Sequence, residues 1–249
     1  MVNSVKTDSA TKEAFVRLAL AADEFEGYAH PHATRIAKLA DELAKLFHLA
    51  PHDRASLRLA ALAHDLGEVV MERDYIRRAG PLTDEERIDL ARHPVIGEQE
   101  AARAGADRGA QLIVRWHQEW WNGNGYPDAL QREQIPLAAR ILRVADAYAA
   151  LTDARPFRPA LTEEEAREFL ADWAGLEFDP QVVRAFLSLG PIPELRSYAK
   201  KQEPEVRSQK PEDENQELKI ENQESDIENQ ILDEREREAE TVSLLNSDS

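Results

Sequence analysis

The chain has 249 residues, 42% of them apolar, no cysteine and a formal charge of −17. That is enough apolar material for one sizeable core. The missing cysteines exclude disulfides and thiolate metal sites, and the acidic balance argues against a nucleic-acid duplex or an anionic membrane as the main partner.

The first residues, MVNSVKTDSATKE, are polar, and no run reaches the length of about eighteen apolar residues that a membrane helix needs. Neither a signal peptide nor a membrane span is expected, and a cytoplasmic location fits. Residues 1–27 read as a helical lead-in to a main domain over residues 28–193. From Arg35, Ile36, Leu39, Leu43 and Leu46 recur at three- and four-residue spacing, which marks one buried helical face. Pro51 is expected to end that segment, and a second helix carries Leu57, Leu59, Leu62 and Leu66. Thr83 with Glu86 forms a capping-box pattern that opens a helix towards Arg92. A further helix is expected over Asp107 to Gln118, with Leu112, Ile113 and Trp116 as its apolar side. Gly123 and Gly125 break the pattern in a loop. Leu137 to Asp153 is long and strongly apolar, Thr162 with Glu165 repeats the capping box, and Asp179-Pro180 suits an N-cap and first turn. No alternating strand pattern is seen, so the expected class is all-α.

Residues 194–249 have another character. Residues 214–234 read ENQELKI, ENQESDI, ENQILDE, a seven-residue period. Ile220 and Ile227 share one heptad position with Glu234, and Leu218 and Leu232 share another with Ser225. So broken a seam favours a disordered or transiently helical acidic tail over a coiled-coil contact.

Seven histidines are available for chemistry. His48 and His52 flank a helix end and a proline and take the structural reading; His30 is open. His64-Asp65 follows the apolar run LRLAALA. A carboxylate there is costly without a partner, and a divalent ion taking imidazole nitrogen and carboxylate oxygen supplies one. Asp146 interrupts LAARILRVADAYAAL, the most apolar helix. It is either hydrogen-bonded in the core or a ligand. His32, His93 and His117 sit on other expected helices.

The order His32, His64-Asp65, His93, His117, Asp146 resembles the HD superfamily of metal-dependent phosphohydrolases. The words HPHATRIAKLA, AHDLGE, HPVIGE, HQEWWNGNGYP and RILRVADAYAALTDARPFRP are similar to those of its HD-GYP branch, whose characterised members hydrolyse cyclic di-GMP. The likeness runs in unbroken order from Tyr28 to Leu189. It implies an HD-domain helical bundle and a first metal position from His32, His64, Asp65 and Asp146. His93 and His117 belong to a second, with Asp65 bridging. His64 and Asp65 are the implied catalytic pair, in a reaction where Mn, Fe, Mg or Zn, one or two ions per chain, binds a phosphate oxygen and acidifies the attacking water. On the substrate side, Gly125 and Tyr126 of the loop and the arginines Arg155 and Arg158 are implied to contact a nucleotide.

The chain departs from the family pattern at named places. Gln118 replaces the second histidine of the family's HH pair and binds a late transition metal more weakly than imidazole. Glu68 replaces a phosphate-facing lysine, Asn122 the loop aspartate, and Ala149 a second aspartate. Tyr28 stands where some members place a glutamate for a third ion, so no third ion is expected. The leading expectation is a metal-dependent phosphodiesterase acting on cyclic di-GMP or a related nucleotide second messenger. The alternatives are a degenerate domain that binds a nucleotide or a signalling protein partner, and a single-metal hydrolase of nucleoside phosphates.

Overall fold

The computed structural model describes residues 2–28, 30–154 and 159–190. Arg155, Arg158 and the acidic repeat lie outside them. The described residues form helices α1 (Val2–Glu26), α2 (His32–Leu46), α3 (Pro51–Ala63), α4 (Leu66–Met71), α5 (Asp84–Leu90), α6 (His93–Arg103), α7 (Arg108–Trp116), α8 (Leu137–Thr152), α9 (Glu163–Asp172) and α10 (Pro180–Ser188). Among the described residues there is no sheet, only an isolated bridge between Ala174 and Phe178. The class is all-α.

Local sequence explains the helix starts. Thr83 and Thr162 each accept a hydrogen bond from the backbone three residues on and receive the reciprocal glutamate contact, so both capping boxes form. Asp179 caps α10 by accepting from Gln181 N at 2.7 Å. Asp107 caps α7 rather than lying inside it, accepting from Ala110 N at 3.0 Å.

Two boundaries differ from expectation. Pro51 opens α3 instead of ending α2, because its ring is pre-set for a first helical turn; α2 has already stopped at Leu46, and the chain turns through His48 at φ 53°. The helix read as continuous through Leu66 is broken at His64-Asp65. Asp65 sits at φ −100°, ψ 12°, outside the helical region, and α4 restarts after it. The break aims the two side chains inward.

α2 lies against α3 and α8, α3 against α7, and α6 against both α4 and α7. The apolar faces meet at their centre: Ile36, Leu39, Leu43, Leu57, Ile141, Leu142 and Leu151 are fully buried, whereas Leu46, expected on the same buried face, is 46% exposed at the last residue of α2. Each such side chain contributes on the order of 2 kcal/mol by leaving water. The core thus holds in fixed register the helix ends on which the polar cluster is mounted.

Candidate metal centre

His32 and His93 each begin a helix, His64 and His117 each follow the last residue of one, and Asp65 precedes α4. Only Asp146 comes from a helix interior. Helix ends leave carbonyls unpaired, and the histidines use them. His64 Nδ1 lies 3.1 Å from Ala61 O, His93 Nδ1 2.9 Å from Leu90 O, and His117 Nδ1 2.6 Å from Val114 O. His32 Nδ1 instead meets Asp153 Oδ2 at 2.8 Å. With each Nδ1 engaged outward, all four Nε2 atoms face the centre.

Two groups result. His32, His64 and Asp146 form one, and Asp65, His93 and His117 the other; within each, one ligand atom per residue lies within 4.8 Å of the others. Asp146 Oδ1 is 3.7 Å from His32 Nε2 and 3.6 Å from His64 Nε2. Asp65 links the groups: Oδ2 is 2.7 Å from His64 Nε2, and Oδ1 is 3.9 and 4.0 Å from the Nε2 atoms of His93 and His117. All six residues are buried.

The donor set fits divalent cations. His32 Nε2 is buried without a hydrogen-bond partner, a costly state for a polar atom unless something binds it. His93 Nε2 and His117 Nε2 stand 3.2 Å apart. With both Nδ1 atoms donating, these are two acceptors facing each other. Two nitrogens on one tetrahedral ion at usual bond lengths lie about 3.3 Å apart.

Charge is arranged to match. Burial opposes a charged His64 ring, but the Asp65 and Asp146 carboxylates outweigh it and hold its pKa well above the usual histidine value. Burial likewise opposes ionised Asp65 and Asp146, yet His64 holds Asp65 low, and His32, His64 and Arg143 hold Asp146 low. Burial lowers His93 and, with the neighbouring histidine charges, takes His117 down to about 3, so that ring is neutral and ready as a donor.

Comparison with known proteins agrees with this geometry. Residues 18–182 match the HD domain family. The chain belongs to the HD domain family. Its motifs and relatives put it in the HD-GYP branch. It is 34% identical over 202 residues to a protein of Vibrio cholerae named cyclic di-GMP phosphodiesterase, covering 75% of this chain and 41% of that one. It is 34% identical over 185 residues to the cyclic di-GMP phosphodiesterase response regulator RpfG of Xanthomonas campestris pv. campestris, covering 73% and 49%. A 3'3'-cGAMP-specific phosphodiesterase of Vibrio cholerae is 30% identical over 71% of this chain and 34% of its own length. The chain thus spans less than half of each of these relatives. In fold it is similar to a solved V. cholerae cyclic GMP-AMP specific phosphodiesterase, with TM-score 0.60, 20% identity and coverage of 74% and 50%. No helix among the described residues is long and apolar enough to cross a membrane.

In this HD domain the Gln118 amide is engaged by another side chain of the protein. Its Oε1 accepts from Arg143 Nη1 at 2.7 Å, and the same guanidinium bonds Glu177 and lies 3.5 Å from Asp146 Oδ2. The amide oxygen is therefore turned to a cation of the protein.

The glycine loop is pinned beside the second group. A Cβ on Gly125 would lie 2.1 Å from Trp120 N and 2.5 Å from Gln118 O, so only glycine fits. The Tyr126 ring stands edge-on to His93, centroids 6.1 Å apart, and so lies beside the second group. Glu119 accepts from Asp128 N at 2.7 Å and Leu130 N at 3.0 Å and so supports the loop. Burial pushes its carboxyl from the ordinary 4.5 up to about 7, against those two hydrogen bonds. The folded chain thus holds a proton there that the unfolded chain releases, and stability falls as pH rises through that window. In metal-free protein, the stability of the parent relative to Glu119→Gln is expected to drop by about 3 kcal/mol between about pH 5 and 8. Denaturant titrations across that range check this; a constant difference would mean Glu119 stays ionised.

Some supporting residues were not singled out from the sequence. Asp153 orients His32 and also pairs with Arg35. It stands seven residues after Asp146 on the same helical face, which is the one signal that could have found it. Tyr28, read from the sequence only as the residue at the place of a third-ion glutamate, stacks on His32, centroids 3.8 Å apart and planes 9° apart. Arg143 and Glu177 form a buried pair that only the fold brings together.

Proposed function

We propose that this HD domain is a metal-dependent phosphodiester hydrolase acting on cyclic di-GMP or a related cyclic dinucleotide. The observation that carries the reading is the convergence of four imidazole Nε2 atoms and two carboxylates in a buried cluster, with every Nδ1 engaged outward. His32, His64, Asp65 and Asp146 would hold one divalent ion, and His93 and His117 with Asp65 a second. Bound there, Mn, Fe, Mg or Zn would polarise the phosphate and acidify water for in-line attack.

The chain's own part is positioning. Asp153 and the carbonyls of Ala61, Leu90 and Val114 keep the rings in one tautomer. The buried wall excludes bulk water, which strengthens every charge interaction at the phosphorus. Tyr126 offers a ring face to a base, and Arg155 and Arg158 supply forks for phosphate oxygens. The named activities of the relatives support the substrate class.

Chain loaded with Mn²⁺ is expected to hydrolyse cyclic di-GMP, and His64→Ala to lose at least about 10³-fold in turnover. Absence of turnover, or equal rates in parent and variant, would overturn the reading. A second reading, nucleotide binding without hydrolysis, is favoured by Gln118 being engaged by Arg143 and by Glu68 at the lysine position. Calorimetry showing tight cyclic di-GMP binding beside null turnover selects it. Assays with 3'3'-cGAMP and nucleoside phosphates set the substrate class.

A further inference from the structure

The two oxygens of Asp146 have different neighbours. Oδ1 lies 3.7 Å from His32 Nε2 and 3.6 Å from His64 Nε2, whereas Oδ2 lies 3.5 Å from Arg143 Nη1. Arg143 stands one turn earlier on α8, so both side chains share one face of the helix, and both are buried. The last torsion of an aspartate is broad and roughly two-fold. Nothing in α8 by itself decides which oxygen faces the histidines.

A guanidinium beside a cation site needs a reason, since like charges repel. The fold balances it and fixes it. Arg143 Nη2 donates to Glu177 Oε1, and the Glu177 side chain is fully buried. Arg143 Nη1 donates to Gln118 Oε1 at 2.7 Å. Both partners are anchored in turn: the Gln118 carbonyl accepts from Tyr126 N at 3.2 Å, and the Glu177 carbonyl from Trp121 N at 3.0 Å. The Glu177 charge thus offsets the guanidinium, and two held side chains locate its planar fork against Asp146 Oδ2.

We propose that Arg143 is a positioning residue for the metal centre. It holds Asp146 Oδ2, so that Oδ1 alone is presented to a cation beside His32 and His64, and the ion binds more tightly because this ligand is set before it arrives. Partners that orient a metal ligand are commonly worth about 10–100-fold in affinity. In this arrangement Gln118 serves the centre through Arg143 and not as a ligand. The role presupposes the metal-centre reading, which the parent titration tests by itself.

Mn²⁺ is titrated by calorimetry into the metal-free full chain, parent and variants, with circular dichroism to check that each is folded. Removing Arg143 alone would strand the buried Glu177 charge, so the pair is replaced as a unit. Arg143→Met with Glu177→Met puts apolar side chains in its place, and Arg143→Gln with Glu177→Gln neutral amides, so misfolding of one leaves the other to decide. The tightest Mn²⁺ site is expected to weaken at least about 10-fold in each folded pair variant. Arg143→Lys keeps a cation beside Asp146 but loses the fork, and its affinity is expected to fall between those of the parent and the pair variants. This graded recovery separates positioning from packing alone. A folded pair variant that binds Mn²⁺ as the parent does, or Arg143→Lys binding no tighter than the pair variants, overturns the role of Arg143 and leaves the centre standing. A parent that binds no Mn²⁺ overturns both.

Discussion

Asp65→Asn is expected to remove at least one ion per chain and to lower turnover by at least about 10³-fold, roughly 4 kcal/mol in transition-state stabilisation. The side chain keeps its shape, but the change deletes the one carboxylate that both touches His64 at 2.7 Å and belongs to the group of His93 and His117. An amide offers one neutral oxygen where the centre needs two charged ones. The metal-free protein responds too. Asp65 and Asp146 raise His64 above its ordinary 6.5, so the stability from that ion pair is fully present below about pH 6.5 and is lost as pH rises through the raised value. Asp65→Asn therefore destabilises metal-free protein more near about pH 6 than near about pH 9. Metal analysis, steady-state rates and denaturation at both pH values check this. Parent-like ion content and rates in a folded variant would overturn the proposed bridging role of Asp65.

The largest structural effect is expected from Gly67→Ala, with a loss of about 4 kcal/mol and a fall in melting temperature of about 10 °C. A Cβ at Gly67 would lie 2.0 Å from His93 O, 2.8 Å from His93 C and 3.0 Å from Gly97 N. All three are backbone atoms, so no rotamer can relieve the overlap; α6 must move away from α4. Because His93 begins α6 and Asp65 precedes α4, that movement separates two members of the second group, and metal content should fall with stability. Gly190→Ala is the control, since a Cβ there meets nothing within 4 Å. Calorimetric melting of both variants decides it: a Gly67→Ala protein that melts like the control would mean the helices are not in backbone contact.

The glycine of AHDLGE illustrates how much of the site was legible. Its place beside His64-Asp65 could be read as a motif. Its reason, contact between the backbones of two helices, depends on which helices pack together. Gln118 shows the same limit. Its residue type announced a weaker ligand, but the arginine that takes its oxygen is 25 residues away in sequence. Glu26 carries no local signal of its place, because nothing in the sequence of α1 says that its end comes close to Asp65. Glu119 supports the loop by accepting from two of its backbone N–H groups, 9 and 11 residues away in sequence.

The helical class and the capped helix starts follow from local rules, since spacing along the chain sets which side chains share a helix face, and the six candidate residues of the centre follow from motifs that resemble those of the HD family. The break at His64-Asp65, the outward engagement of the four Nδ1 atoms and the meeting of Arg143 with Gln118 and Glu177 do not. Each depends on distances between helices far apart in sequence, and those distances are set by how the buried apolar faces interlock.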